Sequence, residues 1–484
     1  MATARPQRAP HAGGSVLRWL QTAHAACFAS DRFDGLLTPV LFGFAALCFG
    51  YAVELNNGAY SLEALAFVTA GLIASALAVL APRMAPSRSR TVAVAVGALG
   101  VGTVLQIALM LVSLPGIYMR TPFWGDIKVR FALVFGAFLA GVAVAGGRQT
   151  THLVVPLLCG IHFLLAIWMI DASPQPHIDV YVWHTTAFHA LATHRNPYVV
   201  TNPNIYGSTR WYAPGAATAD RVLFGYPYPP LRIMVGWLGA RFGDYRYANA
   251  VATTLAGALM AYSRPSRLAT TAAAVFWFSP RLLFVIEQGW TEPQVIFLFA
   301  ATVFAACRSP RLLPLALGFL FAAKQYTILF APFAFLLLPR PTLRGYAVLV
   351  VEAAAIATAI TLPWALWNWR AFFGAVIALQ FKQPFRPDAL SYLAWRAANG
   401  APTLPLSMNL LVFVPTAAAA LVRAARTPAG FSGACALGLI VFVAFAKQAF
   451  CNYYMLVIGL LCIATATALI EPPSAADTAS RRTA

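Results

Sequence analysis

Residues 152–170 read HLVVPLLCGIHFLLAIWMI, a run without a single Asp, Glu, Lys or Arg. Its length is close to the ~20 apolar residues that carry a helix across the hydrocarbon core of a bilayer. The next stretch, 171–198, is different in kind: DASPQPHIDVYVWHTTAFHALATHRNPY mixes acids, histidines, prolines and aromatics. A membrane span that opens into a long polar and aromatic segment is the unit from which the rest of the chain can be read.

Comparable apolar runs lie on both sides of it. The expected spans are 35–54, 63–81, 91–113 and 131–147 before it. After it come 246–263, 268–286, 291–307, 312–323, 326–338, 345–367, 404–422, 429–447 and 453–470. With 152–170 these make about fourteen, and twelve at the least. The expected fold is an all-α polytopic membrane bundle. Runs 312–323 and 326–338 are too short to cross alone and pair as half-length helices, an arrangement tolerated where the break lines a cavity. Composition agrees: 60% of the 484 residues are hydrophobic and 10% charged, where a soluble domain carries about 25% charged residues. Too few polar atoms exist to cover a soluble surface.

The formal net charge of +19 is read as orientation, because no soluble stretch is long enough for a nucleic-acid-binding domain. Arginines gather in short connectors: Arg83, Arg88 and Arg90; Arg264 and Arg267; Arg308 and Arg311; Arg340 and Arg344; Arg423 and Arg426. Placing all of them in the cytoplasm closes the alternation with both termini inside. Residues 1–34 then form a cytoplasmic lead, with Arg5, Arg8 and Arg18 but no clean signal-peptide core. Residues 35–150 form an N-terminal transmembrane region, 151–470 a second module, and 471–484 a cytoplasmic Ala/Ser/Arg tail. The long segments 171–245 and 368–403 fall on the opposite face, with the tips at 287–291 and 448–452 and with Lys324 and Gln325. Residues 231–242, too short to span, are expected as an interfacial helix. The cysteines show no metal-type spacing and read as small apolar filler.

Asp179 stands just outside span 152–170, where it can be solvated and still lie beside a lipid substrate. A carboxylate there suits general-base work on a sugar hydroxyl, against the plainer alternative of a solvated loop acid. Val180, Trp183, Phe188 and Leu191 recur at near-helical spacing, which predicts an interfacial amphipathic helix. It stops at Arg195-Asn196-Pro197-Tyr198, and Tyr226-Pro227-Tyr228-Pro229-Pro230-Leu231 forms a rigid aromatic turn. Tyr226 and Tyr228 read either as an aromatic belt or as a sugar-stacking pair. His177, His184, His189 and His194 are too irregular for a metal cluster and read as surface or interfacial histidines.

In this order the motifs resemble those of the GT-C class of membrane glycosyltransferases. The likeness is to bacterial polyprenol-phosphate-mannose-dependent mannosyltransferases and to GPI mannosyltransferase I. It continues through Phe276-Trp277-Phe278-Ser279-Pro280, Glu287-Gln288-Gly289-Trp290-Thr291-Glu292, Lys324-Gln325-Tyr326 and Ala446-Lys447-Gln448 with Asn452-Tyr453-Tyr454, covering about 155–470. The D-x-D of the GPI enzyme is replaced by His177-Ile178-Asp179, a poorer hard-cation site, so no metal is expected. Residues 35–147 have no counterpart in the shorter relatives.

The resemblance implies a GT-C-like bundle with interfacial helices in the first outer loop. It implies an inverting transfer of a hexose, with mannose the expectation, from a polyprenyl-phosphate donor to a lipid-linked or glycan acceptor. Departing lipid phosphate calls for a cation, and the candidates are Lys324, Lys447, Lys382, Arg386 and Arg232. Snorkelling is the alternative for the last three, whereas an intramembrane lysine is more often functional. Gln288 and Glu292 are candidates for sugar hydroxyls, or else for helix capping, and Arg195, Asn196 and Tyr198 complete the expected substrate set. The partners implied are membrane lipid, the lipid-linked donor and the acceptor, with no nucleic acid. The Ala- and Arg-rich composition suits a bacterial inner membrane, with the site facing the periplasm or exterior. The competing class is a multi-pass transporter or flippase, which calls for midplane charges and a repeat between halves. A non-catalytic membrane scaffold would have no need of Asp179.

Overall fold

The computed structural model describes residues 34–35, 37–81, 90–120, 126–146, 148–338, 342–402, 404–405 and 407–470. Nearly all of the expected N-terminal lead, the tail at 471–484 and the connector arginines Arg83, Arg88 and Arg340 lie outside the described residues.

Of the described residues, 73% are helical. The N-terminal region contributes α1 (Leu37–Leu55), α2 (Leu62–Leu80), α3 (Arg90–Val112) and α4 (Ile127–Ala145). The second module opens with α5 (Arg148–Ala172), followed by α6 (Asp179–Ala192), α7 (Pro230–Ala240), α8 (Tyr247–Ser263), α9 (Arg267–Trp277), α10 (Leu282–Glu287), α11 (Glu292–Arg308) and α12 (Leu313–Ala323). It closes with α13 (Leu343–Trp367), α14 (Trp369–Phe372), α15 (Leu379–Lys382), α16 (Tyr392–Ala398), α17 (Ser407–Arg423), α18 (Pro428–Ala444) and α19 (Cys451–Thr467). The only strands among the described residues are a two-residue antiparallel pairing of Asn202–Pro203 with Arg221–Val222.

Among the described residues, six helices are long and apolar enough to cross a membrane: Leu37–Leu55, Leu62–Leu80, Val92–Val112, Ile127–Ala145, His152–Ala172 and Leu343–Trp367. The last lies at the edge of the bundle, with 11% of its apolar window buried and Leu343, Val351 and Leu366 exposed. Such a surface suits lipid rather than water. Other expected spans are shorter. Helices α17, α18 and α19 have 17 residues each, about 25 Å at the α-helical rise.

Two expected spans are broken. The run 268–286 divides into α9 and α10, because Pro280 lacks an amide hydrogen and disfavours helical backbone at Ser279. Tight bonds carry the chain round the break, Ser279 N–H to Phe276 O at 3.1 Å and Leu282 N–H to Ser279 O at 2.9 Å. The run 326–338 forms no α-helix. After the extended backbone of Lys324 (φ −157°) come two 3-10 helices, Gln325–Phe330 and Pro332–Leu337.

Helix α19 is the centre of the bundle. Nearly all of its side chains are buried, and it packs on α1, α9, α11 and α18. Between helices in lipid, close packing and buried polar bonds supply the cohesion that water would otherwise drive. Gly459, for instance, lets Ile296 of α11 approach. The N-terminal region is part of this bundle. Glu54 at the end of α1 forms a buried ion pair with Arg281 at 2.9 Å, and α4 packs on α9.

Candidate active site

Asp179 is the first residue of α6, where free backbone amides favour a carboxylate. Its own N–H donates to the Tyr206 hydroxyl at 3.2 Å. The side chain is half-buried. Burial pushes its carboxyl up to about 6, against the opposing pull of the Val180 amide and of Arg386. The phenols of Tyr206 and Tyr212 are raised first by burial and then by the Asp179 charge. These two tyrosines were not singled out from sequence; only the density of tyrosine in the first long segment hinted at them.

One turn on, His184 is fully buried, which corrects the expectation of a surface or interfacial histidine. Its Nδ1 lies 2.8 Å from Val180 O. A carbonyl only accepts, so Nδ1 carries the proton and Nε2 is the acceptor. Facing Nε2 are the Tyr226 hydroxyl at 2.9 Å and Arg232 Nε–H at 3.1 Å. Burial, with Arg232 beside it, holds the imidazole well below its usual range and so neutral. Tyr245 stacks on the ring at 4.4 Å.

Arg232 was expected as an interfacial cation for phosphate. It is instead 1% exposed, and its remaining donors reach Asn249 Oδ1 at 2.8 Å and Gly289 O at 3.4 Å. A guanidinium engaged on all sides is a strut between α7, α8 and the 288–291 turn. Gly289 has φ +67°, and a methyl there would meet the Tyr245 hydroxyl, so only glycine fits.

Lys324 directly follows α12 and is also buried. It forms an ion pair with Glu292, the first residue of α11, and Tyr326 donates to the same carboxylate at 3.0 Å. Its Nζ lies 5.5, 5.1 and 5.3 Å from the ring centres of Tyr228, Tyr326 and Tyr453. Such a cage favours a cation. The structure thus joins two residues that the sequence reading had assigned separate roles. The Tyr228 phenol is raised by burial and then by the charges of both Asp179 and Glu292. Gln325 Nε2 fastens this corner to Pro227 O and Val376 O, each at 2.9 Å.

The other expected residues divide. Asn196 Oδ1 accepts the Tyr198 amide at 2.8 Å, and the Tyr198 hydroxyl donates to Tyr228 O at 3.1 Å, so both hold the aromatic turn in place. Tyr226 is buried in the same packing. Arg195 is exposed and lines a separate pocket with His189, Thr201 and Arg221. Gln288 is turned to Glu287 Oε2, 2.9 Å away. Lys447 is half-buried and donates to Phe381 O at 3.1 Å, while Lys382 is exposed. Arg386 pairs with Asp388 at 2.6 Å and lies 4.4 Å from the Trp211 ring centre, linking the second long segment to the first.

Among the described residues there is no group of three or more His, Cys, Asp or Glu side chains placed to hold a metal ion. Comparison with protein-family models, with curated proteins and with solved structures returns no match for this chain. The class that fold and site define is a helical protein with helices long and apolar enough for a membrane and a helix-opening acid whose amide is bonded to Tyr206. The arrangement offers a carboxyl raised to about 6 and a lysine caged by Tyr228, Tyr326 and Tyr453.

Proposed function

We propose that the chain is an inverting membrane glycosyltransferase that moves a hexose from a polyprenyl-phosphate donor to a hydroxyl of a lipid-linked or glycan acceptor. The observation that carries this reading is Asp179 at the start of α6, its amide bonded to the Tyr206 hydroxyl at 3.2 Å and its carboxyl raised by burial to about 6. A general base works best when its pKa lies near the operating pH.

In the reaction the acceptor hydroxyl attacks the anomeric carbon from the side opposite the phosphate. Asp179 takes the hydroxyl proton, the new C–O bond forms, and the bond to phosphate breaks with its electron pair on the phosphate oxygen. Lys324, caged by Tyr228, Tyr326 and Tyr453, stabilises the charge that grows on the departing phosphate. Phosphate is a good leaving group, so a single protein base suffices. The mannose expectation and the GT-C-like bundle rest on the motif resemblance.

The direct test is a transfer assay with the full-length chain in membranes, against a panel of polyprenyl-phosphate hexoses. Transfer from at least one supports the reading, and none from any removes it. A second test concerns sidedness. The arginine-rich connectors put residues 171–245 on the non-cytoplasmic face. Thr209 is exposed in that segment. In a cysteine-free background, Thr209→Cys should react with a membrane-impermeant maleimide added from the non-cytoplasmic side. Labelling only from the cytoplasmic side would remove the proposal, because the donor sugar is presented on the outer face.

A further inference from the structure

The connection between α3 and α4 does more than join two helices. Residues 114–120 run as a strap between two arms of the candidate site. At its start, Arg281 Nη1 donates to Leu114 O at 2.7 Å. In its middle lies Glu287, a carboxylate with 0% exposure. Ile117 N–H donates to Glu287 Oε2 at 2.9 Å, and Tyr118 N–H to Oε1 at 2.8 Å. Gln288 adds a third bond to Oε2 at 2.9 Å. Gly116 is pressed against Glu287 and Met169, with no room for a methyl. At the far end, Arg120 N–H donates to Ala172 O at 2.7 Å and its side chain reaches Gln175 Oε1 at 3.4 Å.

The strap therefore joins the turn after α10 to residues 172–175, which lead directly into Asp179. A buried carboxylate is costly unless it is held by donors. Here the donors are consecutive amides of a segment from the N-terminal region. The only aromatic hydroxyl of the strap is Tyr118, half-buried. It stands two residues before Arg120, which is bonded to Ala172 and Gln175 just ahead of Asp179, and its phenol is raised by burial, then by the Glu287 and Asp179 charges. Lys324 is grouped instead with Glu292, Tyr228, Tyr326 and Tyr453.

We propose that this strap is the acceptor wall of the site. Tyr118 hydrogen-bonds a hydroxyl of the polyhydroxylated acceptor next to the one that Asp179 deprotonates, and Glu287 is the positioning residue that fixes the strap. The inference rests on the glycosyl-transfer reading above. It gives the extra N-terminal region a part in acceptor selection.

The test is steady-state transfer by the full-length chain in proteoliposomes. The probes are a polyprenyl-phosphate mannose donor and alkyl glucoside, galactoside and mannoside acceptors, with donor and acceptor varied separately. Tyr118→Phe should raise the acceptor KM about five-fold, the scale of one lost hydrogen bond to an uncharged hydroxyl. The donor KM should stay within about two-fold. Glu287→Gln removes one acceptor of the paired amides and should shift the same constant in the same direction. Should Glu287→Gln fail to insert, Tyr118→Phe decides alone. An unchanged acceptor KM, or proportional changes in both constants, overturns the acceptor wall while wild-type transfer leaves the enzyme reading intact. Absence of transfer by the wild type overturns both.

Discussion

Asp179→Asn is expected to lower the transfer rate by about 10²–10⁴ while the protein inserts and folds as before, the usual loss when a lone general base is removed. The amide keeps the size of the carboxylate and can still accept from neighbouring donors, but it takes up no proton. The pH profile supplies a second signature. Catalysis needs the deprotonated form, and the carboxyl sits at about 6. The rate at limiting substrate should therefore rise with pH below about 6 and level off above it. Arg386 pulls this pKa down, so Arg386→Met should move the inflection to higher pH. Wild-type turnover in the Asn variant would make Asp179 a loop acid and end the mechanism.

Lys324→Met is expected to produce the other large effect, for two reasons that a second variant separates. The lysine is buried in an ion pair with Glu292. Removing one partner of a buried pair leaves an uncompensated charge, a loss of about 3–5 kcal/mol. The single variant should therefore be both destabilised and inactive. Lys324→Met combined with Glu292→Gln removes both charges and should recover most of the stability. Donor binding should remain impaired, with the donor KM raised about ten-fold or more and the acceptor KM little changed. Lys324→Arg should rescue only in part, because a wide planar fork does not fit a cage built around a compact ammonium. Lys447→Met should be milder, within about three-fold, since that side chain is half-exposed and bonded only to a backbone carbonyl. Normal donor dependence in the double variant would shift the phosphate contact to Arg386.

Much of the helical framework was legible in the chain itself. Apolar runs place helix ends within a few residues of those observed, as at 63–81 against Leu62–Leu80 and 345–367 against Leu343–Trp367. Helices expected after Val180 and at 231–242 are found at Asp179–Ala192 and Pro230–Ala240. These succeed because periodicity and length are local properties. The same reasoning passed over the break at Ser279-Pro280 and treated 326–338 as helical. There apolar content outweighed the backbone cost of proline, which a hydropathy run does not register.

By itself, the sequence determined that the chain is helical and apolar enough for a membrane, where its polar segments interrupt the series, and that Asp179 stands just outside a long span, ahead of an amphipathic helix. Only the tertiary structure decided which polar groups meet. Lys324 and Glu292 are 32 positions apart, and Glu287 is 170 positions from Ile117, yet each pair is joined by hydrogen bonds. His184 and Arg232, each read from sequence as interfacial, became partners in a buried network. Nothing in a single chain marks such pairings, because they follow from how helices pack. A polar group buried by that packing must find a partner wherever the fold brings one.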